Sequence, residues 1–241
     1  MDYHDNKQVR KAVIKLFRSV ERDTSKLVDF LKESDYFEAP SSSRFHGAFK
    51  GGLAAHSLAV YNIALALSET GYYGTGLHDS LKVCCLCHDL CKIGVYQLGG
   101  EPCTEKQLHF LTKLISKADS STYELLDKSG FTDSDYKFSK TVASKLIDWL
   151  NSGANGDIPE ITDEWSFDDP LPLGHGSKSL LITSQYLELT DEEKLTINWH
   201  MGPFDLPSYK GLESFGKALK ISRLPLLLFS ADMAATHTLG I

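Results

Sequence analysis

The residues of this chain best suited to chemistry are an adjacent His88 and Asp89, with Lys92 just beyond them. They close the stretch Leu81-Lys-Val-Cys-Cys-Leu-Cys-His88-Asp89-Leu-Cys-Lys92, an apolar run with no turn residue. On a helix, neighbours point about 100° apart, so this imidazole and carboxylate would flank one point in space from two directions. A metal ion placed there takes a nitrogen from one and an oxygen from the other. Lys92 lies four positions after His88 and three after Asp89, on their side of the helix. A cation beside a metal site suits an anionic substrate, and phosphate is the obvious candidate. Alone, the His-Asp pair is a weak signal, because most such pairs are plain helix surface.

Further candidate ligands stand at helix starts, at helix ends or inside an apolar helix. His56 falls in the first turns of a helix over about residues 53 to 70, after a loop ending in Gly51-Gly52. His175 enters a helix at Gly174-His-Gly-Ser-Lys-Ser179, and His200 ends the helix opened by the capping box Thr190-Asp-Glu-Glu193. Asp232 lies within Leu226-Leu-Leu-Phe-Ser-Ala-Asp-Met-Ala-Ala, where a carboxylate is costly unless paired or bound to a cation. Taken singly, most of these residues also have a structural reading. His56 can cap its own helix, His88 and Cys87 can be core, and His175 can be a loop residue before a helix. Asp232 has no comfortable structural role. His46, before the Gly-Gly turn, faces either the pocket or solvent, while Lys178 and Asp205 are weaker candidates for substrate contact, more simply solvated.

The elements that must position these groups read as helices. Apolar residues near helical period mark amphipathic segments at residues 8–20 and 26–32. Residues 101–155 form an insertion in which helices are expected over 105–117, 123–128 and 137–150, with Leu108, Leu111, Leu114 and Ile115 as the apolar side of the first. Short strands near Val95 and within residues 153–173 suggest the two arms of one small hairpin. Pro225 is tolerated in the first turn of the last helix. The expectation is one all-α domain over residues 1–241, with N-terminal helices in 1–35, the insertion at 101–155 and at most a small β-hairpin near the site.

A chain of 241 residues that is 42% hydrophobic can bury one sizeable core. Its formal charge of -7 argues against a long nucleic-acid track but not against a nucleotide or a short single-stranded end. No stretch approaches the ~18 apolar residues of a membrane span, and the N-terminus lacks the apolar core of a secretion signal, so a cytoplasmic protein is expected. Five cysteines, four of them within Cys84 to Cys91, do not resemble a disulfide framework. Cys84, Cys87 and Cys91 recur at helical spacing and read as small buried apolar residues. A zinc site built on them lacks a second Cys or His pair of matching spacing.

In order, then, the chain offers His56, His88-Asp89, His175, His200 and Asp232. This set resembles the HD-domain metal-dependent phosphohydrolase superfamily, and the stretches Gly-Gly-Leu-Ala-Ala-His56, His88-Asp-Leu-Cys-Lys92, Gly174-His-Gly-Ser-Lys-Ser and Trp199-His-Met-Gly are similar to bacterial and phage HD-domain hydrolases in particular. The similarity covers about residues 25–100 and 170–241, and the 101–155 insertion departs from it. The resemblance implies a helical bundle, with His56, His88, Asp89 and Asp232 holding a first divalent metal and Asp89, His175 and His200 a second. Imidazole and carboxylate suit Mn, Fe, Ni or Zn. Such an ion lowers the pKa of its water to about 7, Asp89 bridges, and Lys92 offsets charge on the phosphoryl oxygens. The implied activity is hydrolysis of a phosphoester in a nucleotide, another phosphorylated small molecule or a short single-stranded nucleic acid. The alternative is a catalytically silent regulatory protein that holds metal and nucleotide in the same pocket.

Overall fold

The computed structural model describes residues 1–73, 78–133, 138–159, 165–205 and 209–241, the side chains of 205 and 209 excepted. Among these residues the fold is all-α, with eleven α-helices and one two-stranded sheet. The chain divides into two compact units, Met1–Tyr96 with Asp169–Ile241, and Gln97–Asp168.

In the first unit α1 (Asn6–Arg18) buries Val9, Val13 and Phe17, one residue per turn, and Asp5 caps it by accepting from the Gln8 amide. Next come α2 (Ser25–Glu33), α3 (Gly52–Ser68) and α4 (His78–Cys87). Helix α3 is apolar all round and buried along most of its length, which makes it the central helix of the bundle. It packs against α1 and α4.

The second unit carries the two strands and three helices. Strand β1 (Tyr96–Leu98) leads into α5 (Glu105–Ile115), α6 (Ser120–Lys128) and α7 (Lys140–Asn151), and β2 (Trp165–Phe167) pairs back with β1. Leu111, Leu126, Phe131, Val142, Leu146 and Trp149 give this unit a core of its own. Thr104, Asp119 and Ser139 cap its helices, and the Ser139 cap starts α7 at Lys140; the expected start at 137 lies outside the described residues.

The chain then returns to the first unit with α8 (His175–Tyr186), α9 (Asp191–Asn198), α10 (Tyr209–Ile221) and α11 (Leu224–Ala234). The capping box of α9 forms as its sequence suggests, Thr190 and Glu193 each bonding the other's backbone amide. Glu193 is also buried and takes the Arg22 guanidinium as its ion-pair partner. Helix α11 is apolar all round like α3, and the two pack together with α9 against α11. Among the described residues no helix is long and apolar enough to cross a membrane.

Two differences from the sequence reading bear on the site. The inserted segment is a compact unit running from Gln97 to Asp168, wider than 101–155. And α4 stops at Cys87, so His88 and Asp89 lie past its end, followed by a 3-10 turn over Leu90–Lys92. The Asp89 backbone, at φ -108° and ψ 21°, is no longer helical, and its carbonyl accepts from the Lys92 amide at 3.0 Å. Lys92 therefore reaches Asp89 across a tight turn rather than along a helix face.

Candidate metal centre

Helix ends leave their last carbonyls without intrahelical donors, and this chain uses two of them to orient imidazoles. His88 Nδ1 donates to the Cys85 carbonyl at 2.8 Å, and His200 Nδ1 donates to the Ile197 carbonyl at 2.8 Å. His56, on α3, sends Nδ1 to the Ile241 backbone oxygen at 2.7 Å. A carbonyl oxygen can only accept, so each Nδ1 carries a proton and each ring turns its Nε2 toward the cluster. All three rings are buried.

Those three Nε2 atoms converge on two carboxylates. His56 Nε2 lies 3.1 Å from Asp232 Oδ1, 3.6 Å from Asp89 Oδ2 and 3.4 Å from His88 Nε2. His88 Nε2 is 3.4 Å from Asp89 Oδ2. Two imidazole nitrogens facing each other repel as bare lone pairs, and a proton or a metal cation between them removes that repulsion. Four donors about a divalent ion at bond lengths of ~2.0–2.1 Å lie roughly 2.9–3.4 Å apart, so the observed separations are at or slightly beyond those of a coordination shell. His56, His88 and Asp232 thus form a donor set that could hold a metal ion.

Asp89 has two differently occupied oxygens. Its Oδ2 meets His56, His88 and the Lys92 ammonium, the last at 2.7 Å. Its Oδ1 is 3.6 Å from His200 Nε2, a buried nitrogen with no hydrogen-bond partner among the described residues. Cys91 Sγ lies 3.9 Å from the same Oδ1 and 3.5 Å from His175 Nδ1, making Asp89, Cys91 and His175 a second donor set that could hold an ion.

The electrostatics follow from this crowding. Burial works to raise Asp89, but Lys92 and the neighbouring histidines outweigh it and hold the carboxyl well below the usual carboxylate range. Asp232 shows the same balance, with burial opposed by its hydrogen bond and charge interaction with His56 and a net lowering. Burial also opposes the charge on Lys92, yet Asp89 holds it above its ordinary value. Both carboxylates are thus anionic at neutral pH. The Cys91 thiol is pushed up to about 12 by burial and by Asp89.

Two glycines make the close approaches that bring these groups together. A Cβ on Gly176 would sit 2.0 Å from the Asn198 carbonyl oxygen, so only glycine lets the start of α8, which carries His175, rest on the end of α9. A Cβ on Gly52 would sit 1.9 Å from the Gly47 carbonyl oxygen, where the loop carrying His46 presses on the start of α3. That loop is tied further by Ser41 and Ser42, whose hydroxyls donate to the His46 carbonyl at 2.7 and 2.8 Å.

A cavity of about 290 Å³ opens over the cluster. Asp89, Lys92, His46, His175 and Asp232 line one part of it, and Met201, Phe204, Phe229 and Met233 form an apolar wall. His46 packs 5.2 Å, ring to ring, from His56, and burial followed by the charge of His56 lowers it to about 4.

Of the residues singled out in the sequence, His56, His88, Asp89, Lys92, His200 and Asp232 come together, and exposed His175 stands at the edge beside Cys91. Lys178 is corrected: it does not line the cavity and is not solvated, but is buried in an ion pair with Asp169. The Asp205 side chain lies outside the described residues. Cys91 was read from its helical spacing as core, or as part of a separate cysteine zinc site, and not as a member of this cluster; the 3-10 turn brings it to Asp89 and His175. The one sequence signal for this was its place between Asp89 and Lys92. No family model matches the chain, and no curated protein or solved structure matches it either.

Proposed function

We propose that this chain is a metal-dependent phosphohydrolase of the HD-domain type, cleaving a phosphoester of a nucleotide or short nucleic acid. The observation that carries the reading is the convergence of three Nδ1-tethered imidazoles on Asp89 and Asp232, with one buried Nε2 left without a partner. His56, His88, Asp232 and Asp89 Oδ2 would hold a first divalent ion, and Asp89 Oδ1, His200 and His175 would serve a second. When bound, such ions supply Lewis acidity and activate water near neutral pH.

The chain's own residues supply the rest. The carbonyl tethers fix the direction of the imidazoles and turn each Nε2 to the cluster, so little reorganisation is needed at the moment of reaction. Lys92, beside Asp89 on the cavity wall, offsets negative charge where phosphoryl oxygens would lie. The wall of Met201, Phe204, Phe229 and Met233 suits a flat, weakly polar group such as a nucleobase.

The test is elemental analysis of protein purified without chelators, followed by a panel of nucleoside phosphates, cyclic nucleotides and short single-stranded oligonucleotides. One or two equivalents of a transition metal and released phosphate or nucleotide are expected, with Asp89→Ala losing both metal and turnover. An Asp89→Ala protein that still turns over would sink the assignment. Nucleotide recovered intact from metal-loaded protein would favour the regulatory alternative.

A further inference from the structure

We propose that Cys91 Sγ is a ligand of the second cation position, giving that position sulfur, nitrogen and oxygen donors and a preference for a zinc-class ion over magnesium or manganese. The proposal rests on the metal-binding reading above and departs from the all-imidazole-and-carboxylate set expected there. Asp89 Oδ1, Cys91 Sγ and His175 Nδ1 form a chain of contacts of 3.9 and 3.5 Å. The donor atoms of the three residues all lie within 4.8 Å of one another. With a sulfur bond of ~2.3 Å and nitrogen or oxygen bonds of ~2.1 Å, such donors stand roughly 3.1–3.6 Å apart in a coordination shell. The first contact needs a few tenths of an ångström of closure and the second none.

An independent observation points to the same place. His200 Nε2 is fully buried, has no hydrogen-bond partner among the described residues and lies 3.6 Å from the same Asp89 oxygen. A buried imidazole nitrogen 3.6 Å from a carboxylate oxygen is a position that a cation between them would satisfy from both sides. The position of the sulfur is set by backbone, since the Cys91 amide donates to Ser179 Oγ at 3.0 Å. Ser179 is on α8, the helix that begins with His175. One tie therefore fixes both donors. Coordination breaks the S–H bond and releases the proton to solvent, and the sulfur lone pair makes the new bond without change of oxidation state. A thiolate selects soft and borderline ions, whereas carboxylate and water alone suit magnesium and manganese. The two faces of Asp89 thus offer different chemistry.

The test is cobalt(II) titration of the chelator-stripped protein, read in the visible and near-ultraviolet, with X-ray absorption on the zinc-loaded protein. Expected are d–d bands together with a thiolate-to-cobalt charge-transfer band. Cys91→Ser should remove that band and about half of the bound cobalt while d–d bands from the first position remain. The zinc protein should show a sulfur scatterer at about 2.3 Å, a reading on the unaltered chain that decides the matter even if the variant folds poorly. Cobalt bound with neither charge-transfer band nor sulfur scatterer overturns the proposal and leaves the metal-binding reading standing. A band that survives in Cys91→Ser overturns it too, by assigning the sulfur to another cysteine. Failure to bind cobalt at all removes both.

Discussion

At the scale of single residues, the site is governed by which atoms have partners and which do not. Lys92 and Asp89 satisfy each other at 2.7 Å, so Lys92 is held in one geometry beside the cavity. Lys92→Ala is expected to lower turnover about 10²-fold, the usual loss for one positioned charge stabiliser, with metal content unchanged by elemental analysis; lost metal would mean that the ammonium holds Asp89 in place. His46 makes a separate prediction. Folding lowers it from 6.5 to about 4, burial being the largest cause. Between those values the unfolded chain binds more protons than the folded one, so stability falls as pH drops from about 6.5 to about 4 and this component stops falling below that. Denaturation midpoints measured in chelator at pH 7 and pH 5 should therefore drop further for the unaltered protein than for His46→Gln. The clustered set was legible in the sequence through its order, His56, His88-Asp89, His175, His200 and Asp232, whereas most of its members taken singly also read as caps, core or loop residues. The tethering carbonyls were not, since backbone oxygens leave no mark in a sequence. Nor was the burial of Lys178, which depends on Asp169 arriving from a loop.

At the scale of elements, His88 and His200 repeat one device: each stands just past a helix end and borrows a carbonyl from the final turn. Beside the second of these ends, Gly176 lets the start of α8 rest on the Asn198 carbonyl. Gly176→Ala must push the Asn198 backbone away, at a cost of about 1–3 kcal/mol as overpacking. Urea denaturation should show that loss, and bound metal should fall toward one equivalent as His175 moves from Cys91 and Asp89. Full metal occupancy in this variant would mean that His175 serves no second ion. The helices themselves were readable from period and caps, as α1 and the Thr190 capping box illustrate. Their exact ends were less so: the apolar run before His88 continues the helical pattern one turn past the point where the 3-10 turn takes over.

At the scale of the molecule, one compact unit is made from two separated chain segments and the other from a continuous one. Because Gln97–Asp168 has its own core and caps and the donor cluster lies wholly in the first unit, excising it and joining the ends with a short linker should leave metal affinity within a few-fold, checked by competition with a chelating dye. The substrate range should change more. A lost metal site would show that the first unit needs the second to fold. The helical character of the segment was legible, but its limits were not, because the short strands β1 and β2 that bound it are too brief to carry a clear alternating pattern.

The pairing of β1 with β2 has a consequence for how the chain finds its fold. Every donor set at the site joins residues before Tyr96 to residues after Asp169, so the two segments must meet across everything between them. Closing a loop of that length as open coil costs roughly 4 kcal/mol in entropy. Once Gln97–Asp168 has folded, the strand pair holds its two ends side by side and the search shrinks to that of a short link. The continuous unit is then a built-in accelerator of the discontinuous one. Leu146→Asp, which breaks its core, should slow the refolding seen by Trp199 fluorescence in a Trp149→Phe, Trp165→Phe background by several-fold. An unchanged rate would mean that the two segments find each other unaided.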